Sequence, residues 1–343
     1  MVRCLAPKNL PMPLQDLLAT AITAVAEACR VTRAVQAELD KAGTLTKSDY
    51  SPVTIADFAA QAVVCQRLHQ NLGAFDLVGE ESADDLRKAA RGDTARAVCD
   101  AVRAVWPALE DAAILDAIDF GNHDASAASY WTLDPVDGTK GFLRRGQYAV
   151  SLALIRDGQV VAGVLGCPNL GMDFSRAFDN PDPHGTLFFA ETGKGAWCLP
   201  AAHLHAEPLR VTTPTDRAVR AMRMCESVEA GHSRQDWTSR VRDLVGTQAE
   251  PARLDSQCKY AVVARGQADA YLRLPTSYTY VEKIWDHAAG MLVAQEAGAL
   301  VTDIDGKALD FSRGAGLSAN RGVVCAPPAL HAALRQAIDR LDI

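Results

Sequence analysis

Tyr130-Trp131-Thr132-Leu133-Asp134-Pro135-Val136-Asp137-Gly138-Thr139-Lys140-Gly141-Phe142 is the stretch on which the reading of this chain turns. Tyr130 to Leu133 is an apolar run, which predicts a buried strand that delivers Asp134 to its end. Pro135 fixes its own φ and biases Asp134 away from the α region, so a turn is expected there. Asp137-Gly138 is turn chemistry as well, and it leaves two carboxylates three residues apart around one tight bend. Carboxylates held that close repel unless a cation lies between them or one of them takes up a proton. An all-oxygen set with no His or Cys beside it suits a hard ion such as Mg²⁺. The same residues also suit an ordinary Asp-Pro/Asp-Gly loop, and the stretch alone does not choose between the two.

The 343-residue chain has room for two domains or one large two-part α/β body. It is 48% hydrophobic and 22% charged, a balance that allows a sizeable core. No apolar run reaches the ~18 residues of a membrane span, so no membrane partner is expected. Met1 to Pro13 carries Arg3 and Lys8 without an apolar core segment, which argues against a signal peptide. A net charge of −7 without a Lys/Arg block argues against polymeric nucleic acid, though not against a small phosphorylated ligand. Nine cysteines with no C-x-x-C pair suit reduced thiols in a cytoplasmic protein better than a disulfide frame or a zinc site. His203-Leu204-His205 could share a metal if it lay in a strand, but its Ala, Pro and Glu neighbours favour a surface segment.

Upstream, Leu14, Leu17, Leu18, Ala21, Ile22, Val25 and Ala28 recur at helical spacing and predict a long amphipathic helix. A second helix follows the segment Lys47 to Asp57, turning Phe58, Ala62, Val63, Cys65 and Leu68 inward. Thr54-x-x-Asp57 matches a capping box, so Asp57 also reads as a helix cap. Phe75 to Val78 predicts a short strand that ends at Gly79-Glu80-Glu81-Ser82, and residues 84 to 118 predict helical connections. Downstream, Tyr148 to Ile155 and Val160 to Leu165 predict a hairpin about Asp157-Gly158, and Leu187 to Ala190 with Ala196 to Cys198 another. These hairpins imply an antiparallel sheet flanked by the two early helices.

Past residue 204 strands and helices alternate: Val219 to Cys225 strand-like, Trp237 to Val245 and Lys259 to Arg265 helical, Ala268 to Leu274 strand-like. Trp285-Asp286-His287 opens a helix that runs to Ala297 and stops at Gly298, with Asp286 a candidate N-cap. Ala299 to Thr302, Gly322 to Ala326 and a last helix from Leu330 complete an α/β half. The expected division is therefore an α+β domain over 1–204 and an α/β domain over 205–343.

Several chemistries drop out. G-x-x-x-x-G-K-[ST] and G-x-S-x-G are absent, and Gly193-x-Gly195 and Gly314-x-Gly316 lack the rest of a dinucleotide fingerprint. Haloacid-dehalogenase-type phosphatases use D-x-D-G-[ST] at a strand end; Asp134 and Asp137 are one residue too far apart for that. Asp303-Ile304-Asp305-Gly306 has the spacing, but Lys307 replaces the hydroxyl residue and too little chain follows, so a β-turn is expected.

Four motifs in chain order resemble the inositol monophosphatase superfamily. They are Asp57 in Ser-Pro-Val-Thr-Ile-Ala-Asp, Glu80 in Val-Gly-Glu-Glu-Ser, Leu-Asp-Pro-Val-Asp-Gly-Thr-Lys-Gly-Phe, and Ile-Trp-Asp-His-Ala-Ala-Gly. Within it the chain looks most like the 3′(2′),5′-bisphosphate nucleotidases. That likeness rests on Thr-Lys-Gly-Phe-Leu-Arg, Val-Glu-Ala-Gly-His-Ser (228–233), Leu-Asp-Ser-Gln-Cys-Lys-Tyr (254–260), Tyr-Leu-Arg-Leu-Pro (271–275) and Glu-Lys-Ile-Trp-Asp-His.

The resemblance implies a layered α-β-α-β-α sandwich, an antiparallel N-terminal sheet with a smaller mixed C-terminal one, and hydrolysis of a phosphomonoester with two to three Mg²⁺ ions. It implies that Asp134 bridges two ions, with Glu80 and the Val136 carbonyl completing one site and Asp137 and Asp286 the other. A third, looser ion would lie near Glu80 and Asp57. Asp57 with the Thr139 hydroxyl would orient and deprotonate the attacking water, without a covalent phosphoenzyme. Gly138 and Thr139 would flank the scissile phosphate, and His232, Ser256, Lys259 and Arg273 would surround the nucleotide. Lys259 and Arg273 are the expected clamps for the uncleaved phosphate. The implied substrate is 3′-phosphoadenosine 5′-phosphate, with 3′-phosphoadenylyl sulfate a further candidate, in a monomeric, Li⁺-sensitive enzyme. Two alternatives stay open: a phosphatase of inositol mono- or bisphosphates, and a non-catalytic nucleotide sensor.

Overall fold

The computed structural model describes residues 12–39, 52–88, 92–178, 180–228, 235–275, 277 and 279–341. Apolar periodicity sets the first layer. Leu17, Leu18, Ala21, Val25 and Ala28 line one side of α1 (Leu14–Glu38), and Ala59, Val63 and Leu68 one side of α2 (Pro52–Leu72). These faces pack on each other and on a seven-stranded sheet. The strands are β1 (Leu77–Gly79), β2 (Ser129–Asp137), β3 (Ala149–Arg156), β4 (Gln159–Cys167), β5 (Thr186–Glu191), β6 (Ala196–Pro200) and β7 (Leu209–Val211), paired in chain order. β1 runs parallel to β2, and every other neighbour is antiparallel. The helices expected between β1 and β2 are α3 (Asp84–Lys88), α4 (Asp93–Arg103) and α5 (Asp111–Asp119).

Alternation along β3 feeds two cores at once. Val150, Leu152 and Leu154 face α1 and α2, while Ala149, Ala153 and Ile155 face the opposite way. On that opposite side lie α8 (Cys258–Ala264) and α9 (Ala288–Glu296), sandwiched between the first sheet and a second one. The second sheet has the order β11 (Leu300–Thr302), β12 (Val323–Ala326), β10 (Ala270–Arg273), β8 (Met224–Glu226), β9 (Ala252–Arg253), with mixed directions. Its outer face is covered by α7 (Gln235–Val245) and α10 (Pro328–Ile338). The result is the expected α-β-α-β-α sandwich with an almost wholly antiparallel sheet and a smaller mixed one.

Two details differ from expectation. Of the predicted strand Val219 to Cys225 only Met224 and Cys225 lie in β8, and Val219–Ala221 is a 3-10 turn. Its neighbour β10 begins at Ala270, opposite Met224, so the earlier residues have no strand to pair with. The first sheet reaches Val211, past the 204/205 division, because the chain returns to the edge of β6 and pairs Val211 with Ala196.

Candidate active site

The end of β2 carries the first surprise. The chain does not turn at Pro135; β2 continues to Asp137 and absorbs one extra residue as a bulge. Asp134 lies opposite Ser151 and Asp137 opposite Ala149, so three residues of β2 span two of β3. Strict alternation would put residues three apart on opposite faces, and the bulge returns both carboxylates to the face that Ser151 and Ala149 share. Pro135 fits because it cannot donate to the ladder. The turn comes one residue later, at Gly138 (φ 92°), where α6 (Thr139–Leu143) begins. A Cβ on Gly138 would stand 2.9 Å from the Cβ of Ser256, so glycine allows the loop and the Ser256 segment to touch.

Glu80 arrives on the loop after β1. Gln61 holds that loop, its amide donating to the carbonyls of Glu81 (2.6 Å) and Ile118 (2.8 Å) and accepting from the Glu81 N–H (3.1 Å). Gly79 leaves room for it, since a Cβ there would meet Gln61 Oε1 at 2.6 Å. Asp57 lies one helical turn before Gln61. It is no helix cap: α2 starts at Pro52, which puts Thr54 and Asp57 inside the helix. Ala56 beside it packs with Val136, Phe142 and Tyr148, anchoring this part of α2 to the bulge and to α6. Asp286 ends a 3-10 turn, Ile284–Asp286, and α9 starts only at Ala288, without a side-chain cap from Asp286 or His287.

Asp134, Glu80, Asp137, Asp286 and Asp57 thus converge from four places in the chain, and their electrostatics record it. Burial, then repulsion from Glu80, Asp137, Asp286 and Asp57, holds the Asp134 carboxyl far above the usual range. Burial first, then Glu81 and Asp286, pushes Glu80 up to about 7. Burial raises Asp286 to about 6 against the opposing pull of His287 and Arg273. Burial likewise raises Asp137, opposed by Lys259 and by the Gln257 N–H, which donates to its Oδ2 at 2.5 Å. Asp57 is raised by burial, then by Glu81 and Glu80.

A cavity of about 300 Å³ opens on this cluster. It is lined by Glu80, Asp134, Val136, Asp137 and Asp286, by Gly138 and Thr139, and by Ser256, Lys259 and Arg273. Asp57 is buried and not among the lining residues, and no hydrogen bond joins it to the exposed Thr139 among the described residues. His232 lies outside the described residues. Lys259 is 4% exposed, with Nζ 3.4 Å from the Leu254 carbonyl and 5.2 Å from the Tyr271 ring centroid. Burial lowers its ammonium pKa, against Asp137 and Asp255. Arg273 is held by both oxygens of Glu282 (2.9 and 2.7 Å) and comes within 3.7 Å of Asp286.

Sequence reasoning passed over Gln61, Glu282, Tyr280 and Asp255. Tyr280 and Asp255 line the cavity, and Asp255 is bonded to Arg144. Gln61 could have been found at i+4 from Asp57, on the same face of α2. Glu282 lies inside a quoted motif but has a role only through its fold neighbour Arg273.

The donor set fits divalent cations. Asp134 Oδ1 is buried without a hydrogen-bond partner among the described residues, an oxygen that water or protein would ordinarily satisfy. It belongs to an all-oxygen group whose members repel one another, the environment that hard cations relieve. Elsewhere among the described residues, Glu282, Asp286 and His287 bring three ligand-type atoms within 4.8 Å of one another. Glu282 there is already bonded to Arg273, and His287 faces Tyr260 (2.9 Å), so that trio reads as an ion-pair network.

Comparison with known proteins gives a consistent result. The profile of the inositol monophosphatase family matches residues 13–342. A protein of Emericella nidulans named 3′(2′),5′-bisphosphate nucleotidase is 42% identical over 325 residues, 87% of this chain and 91% of its own. A Schizosaccharomyces pombe protein of the same name is 41% identical over 321 residues, covering 89% and 90%. Among solved structures, the inositol monophosphatase from Anabaena superposes with a TM-score of 0.62 at 20% identity, over 96% of this chain and 97% of its own.

Proposed function

This chain belongs to the inositol monophosphatase family, and on that premise we propose that it is a Mg²⁺-dependent 3′(2′),5′-bisphosphate nucleotidase. Its reaction is removal of the 3′-phosphate from 3′-phosphoadenosine 5′-phosphate, and from 3′-phosphoadenylyl sulfate, giving AMP or adenylyl sulfate. The observation that carries this reading is one cavity with two opposed chemistries. Carboxyls that call for cations, buried Asp134 among them, share one lining with the buried ammonium of Lys259 and the guanidinium of Arg273. A substrate with two phosphates satisfies both; a monophosphate brings no second anion to the buried ammonium.

Glu80, Asp134, the Val136 carbonyl, Asp137 and Asp286 would hold the ions. Bound there, divalent cations supply Lewis acidity and offset the charge that builds on the phosphoryl oxygens. The remaining work belongs to the chain. Asp57 receives the proton of the attacking water on its carboxylate, whose raised pKa makes it a stronger acceptor than an exposed aspartate. Thr139 would orient that water through its hydroxyl, and Gly138 and Thr139 offer backbone N–H groups at the bend beside the scissile phosphate. Lys259, Arg273 and Ser256 bind the second phosphate and fix the nucleotide so that the reacting ester faces the carboxyls. No aspartate becomes phosphorylated.

The deciding experiment measures phosphate release from 3′-phosphoadenosine 5′-phosphate, inositol mono- and bisphosphates, and 5′-AMP, with and without Mg²⁺. Predominant turnover of the adenosine bisphosphate is expected. Preference for inositol phosphates would overturn the substrate, and absence of Mg²⁺-dependent release would return the chain to a nucleotide sensor.

A further inference from the structure

Between Ser256 and Lys259, in the lining of the cavity, Gln257 is 2% exposed and bonded in four directions. Its backbone N–H donates to Asp137 Oδ2 at 2.5 Å. Its side-chain Nε2 donates to the Trp285 carbonyl at 2.9 Å. Its Oε1 accepts from Ser151 Oγ (3.2 Å) and from the backbone N–H of Gly290 (3.0 Å). The Gly290 N–H can only donate, so the amide has one orientation that satisfies all its neighbours. Ser151 Oγ also lies 3.3 Å from the Trp285 carbonyl, closing a small ring.

Three of these partners each adjoin a different acid. Asp137 is touched directly, Trp285 is covalently joined to Asp286, and Ser151 lies opposite Asp134 across the strand pair. Gly290 is in the first turn of α9, which follows Asp286. These acids raise one another's free energy, so their approach has to be imposed from outside. Ser256 just before Gln257 has φ 67°, a left-handed strain that survives only where its surroundings over-determine it.

We propose that Gln257 is the positioning residue of the acidic cluster: its side-chain amide fixes Asp286 against Asp134 and Asp137, and so sets the affinity for divalent cation. This rests on the metal-dependent reading above. Groups that orient metal ligands from behind typically change metal affinity 10- to 100-fold when removed. Gln257→Met keeps length and the backbone N–H but removes the side-chain bonds, so Asp137 keeps its contact while the Trp285 carbonyl next to Asp286 loses the amide donor.

The test titrates folded wild-type protein and Q257M with Mn²⁺ and follows free ion by electron paramagnetic resonance, with no turnover involved. Melting temperature and near-ultraviolet circular dichroism are recorded alongside. The expected result is a Mn²⁺ Kd raised about tenfold or more in Q257M. Ser151→Ala, which removes one of the four bonds with little lost volume, should move Kd the same way by a smaller factor. It serves as the test if Q257M does not fold. A lowered melting temperature with unchanged Mn²⁺ Kd in the folded variants makes Gln257 merely structural and overturns the inference. Wild-type protein that takes up no Mn²⁺ overturns the metal reading, and the inference with it.

Discussion

Two segments of this chain are written in nearly the same letters, Asp134-Pro135-Val136-Asp137-Gly138 and Asp303-Ile304-Asp305-Gly306, and the fold uses them in opposite ways. At the second, Asp303 is fully buried and its oxygens accept from the N–H groups of Asp305 (3.0 Å) and Lys307 (2.8 Å) and from Asn320 Nδ2 (3.0 Å). Gly306 then takes φ 82° and the turn closes, as expected of a β-turn. At the first, the carboxylates stay in the strand, the bulge aligns them, and Asp134 Oδ1 has no donor among the described residues. A buried carboxylate whose acceptors are met by its own backbone is structural. One left unmet among other acids is poised for an external cation.

Exchange of charge for neutrality should separate the two most sharply. Asp134→Asn is expected to lower kcat about 10³-fold or more, since the cation stabilisation of the reacting phosphate is worth several kcal/mol. The same variant should melt higher than wild type in EDTA, because a repelled buried charge is gone. Equal activity of D134N and wild type would break the contrast from the catalytic side. Asp303→Ala should do the reverse, costing about 2–4 kcal/mol of stability through orphaned donors. Its kcat measured on the folded fraction should stay within about twofold of wild type. A large kcat loss in D303A, read by phosphate release below its melting point, would show that the turn serves the chemistry.

Within the cavity, Lys259→Met should raise KM for the adenosine bisphosphate about tenfold to a hundredfold with a smaller change in kcat. An unchanged KM, measured by the same assay, would remove Lys259 from the binding of the second phosphate.

The smallest effect concerns pH. Glu80 and Asp286 are raised to about 7 and about 6 in the fold, from ordinary carboxyl values when unfolded. Folded protein therefore holds these protons more tightly. Their contribution to stability is complete below the unfolded pKa and is lost as pH rises through 6 to 7. Cation binding must displace the same protons, so the gain in melting temperature from Mg²⁺ over EDTA should be larger near about pH 8 than near about pH 5.5, by about a few degrees. A gain that shrinks with rising pH would contradict the assigned ligand set.

Much of the molecule was legible in its letters. Helical spacing from Leu14 to Ala28 and strand alternation about Asp157-Gly158 gave α1, β3 and β4, because burial of one face follows directly from periodicity. The four motifs pointed to the five acids. Local propensity misread the same regions where tertiary partners overrode it: Asp57 looked like a cap, Pro135 like a turn, and Val219 like a strand.

By itself, then, the sequence determined which residues are apolar at which period, which acids accompany the Asp-Pro and Trp-Asp motifs, and hence the family and its layered sandwich. Only the tertiary structure decided that a bulge turns Asp134 and Asp137 to one face, that Gln61 and Gln257 hold the loops of Glu80 and Asp286, and that Glu282 binds Arg273. Those contacts join residues far apart along the chain, and repulsion among buried carboxyls depends on distance and dielectric, which no local spacing encodes.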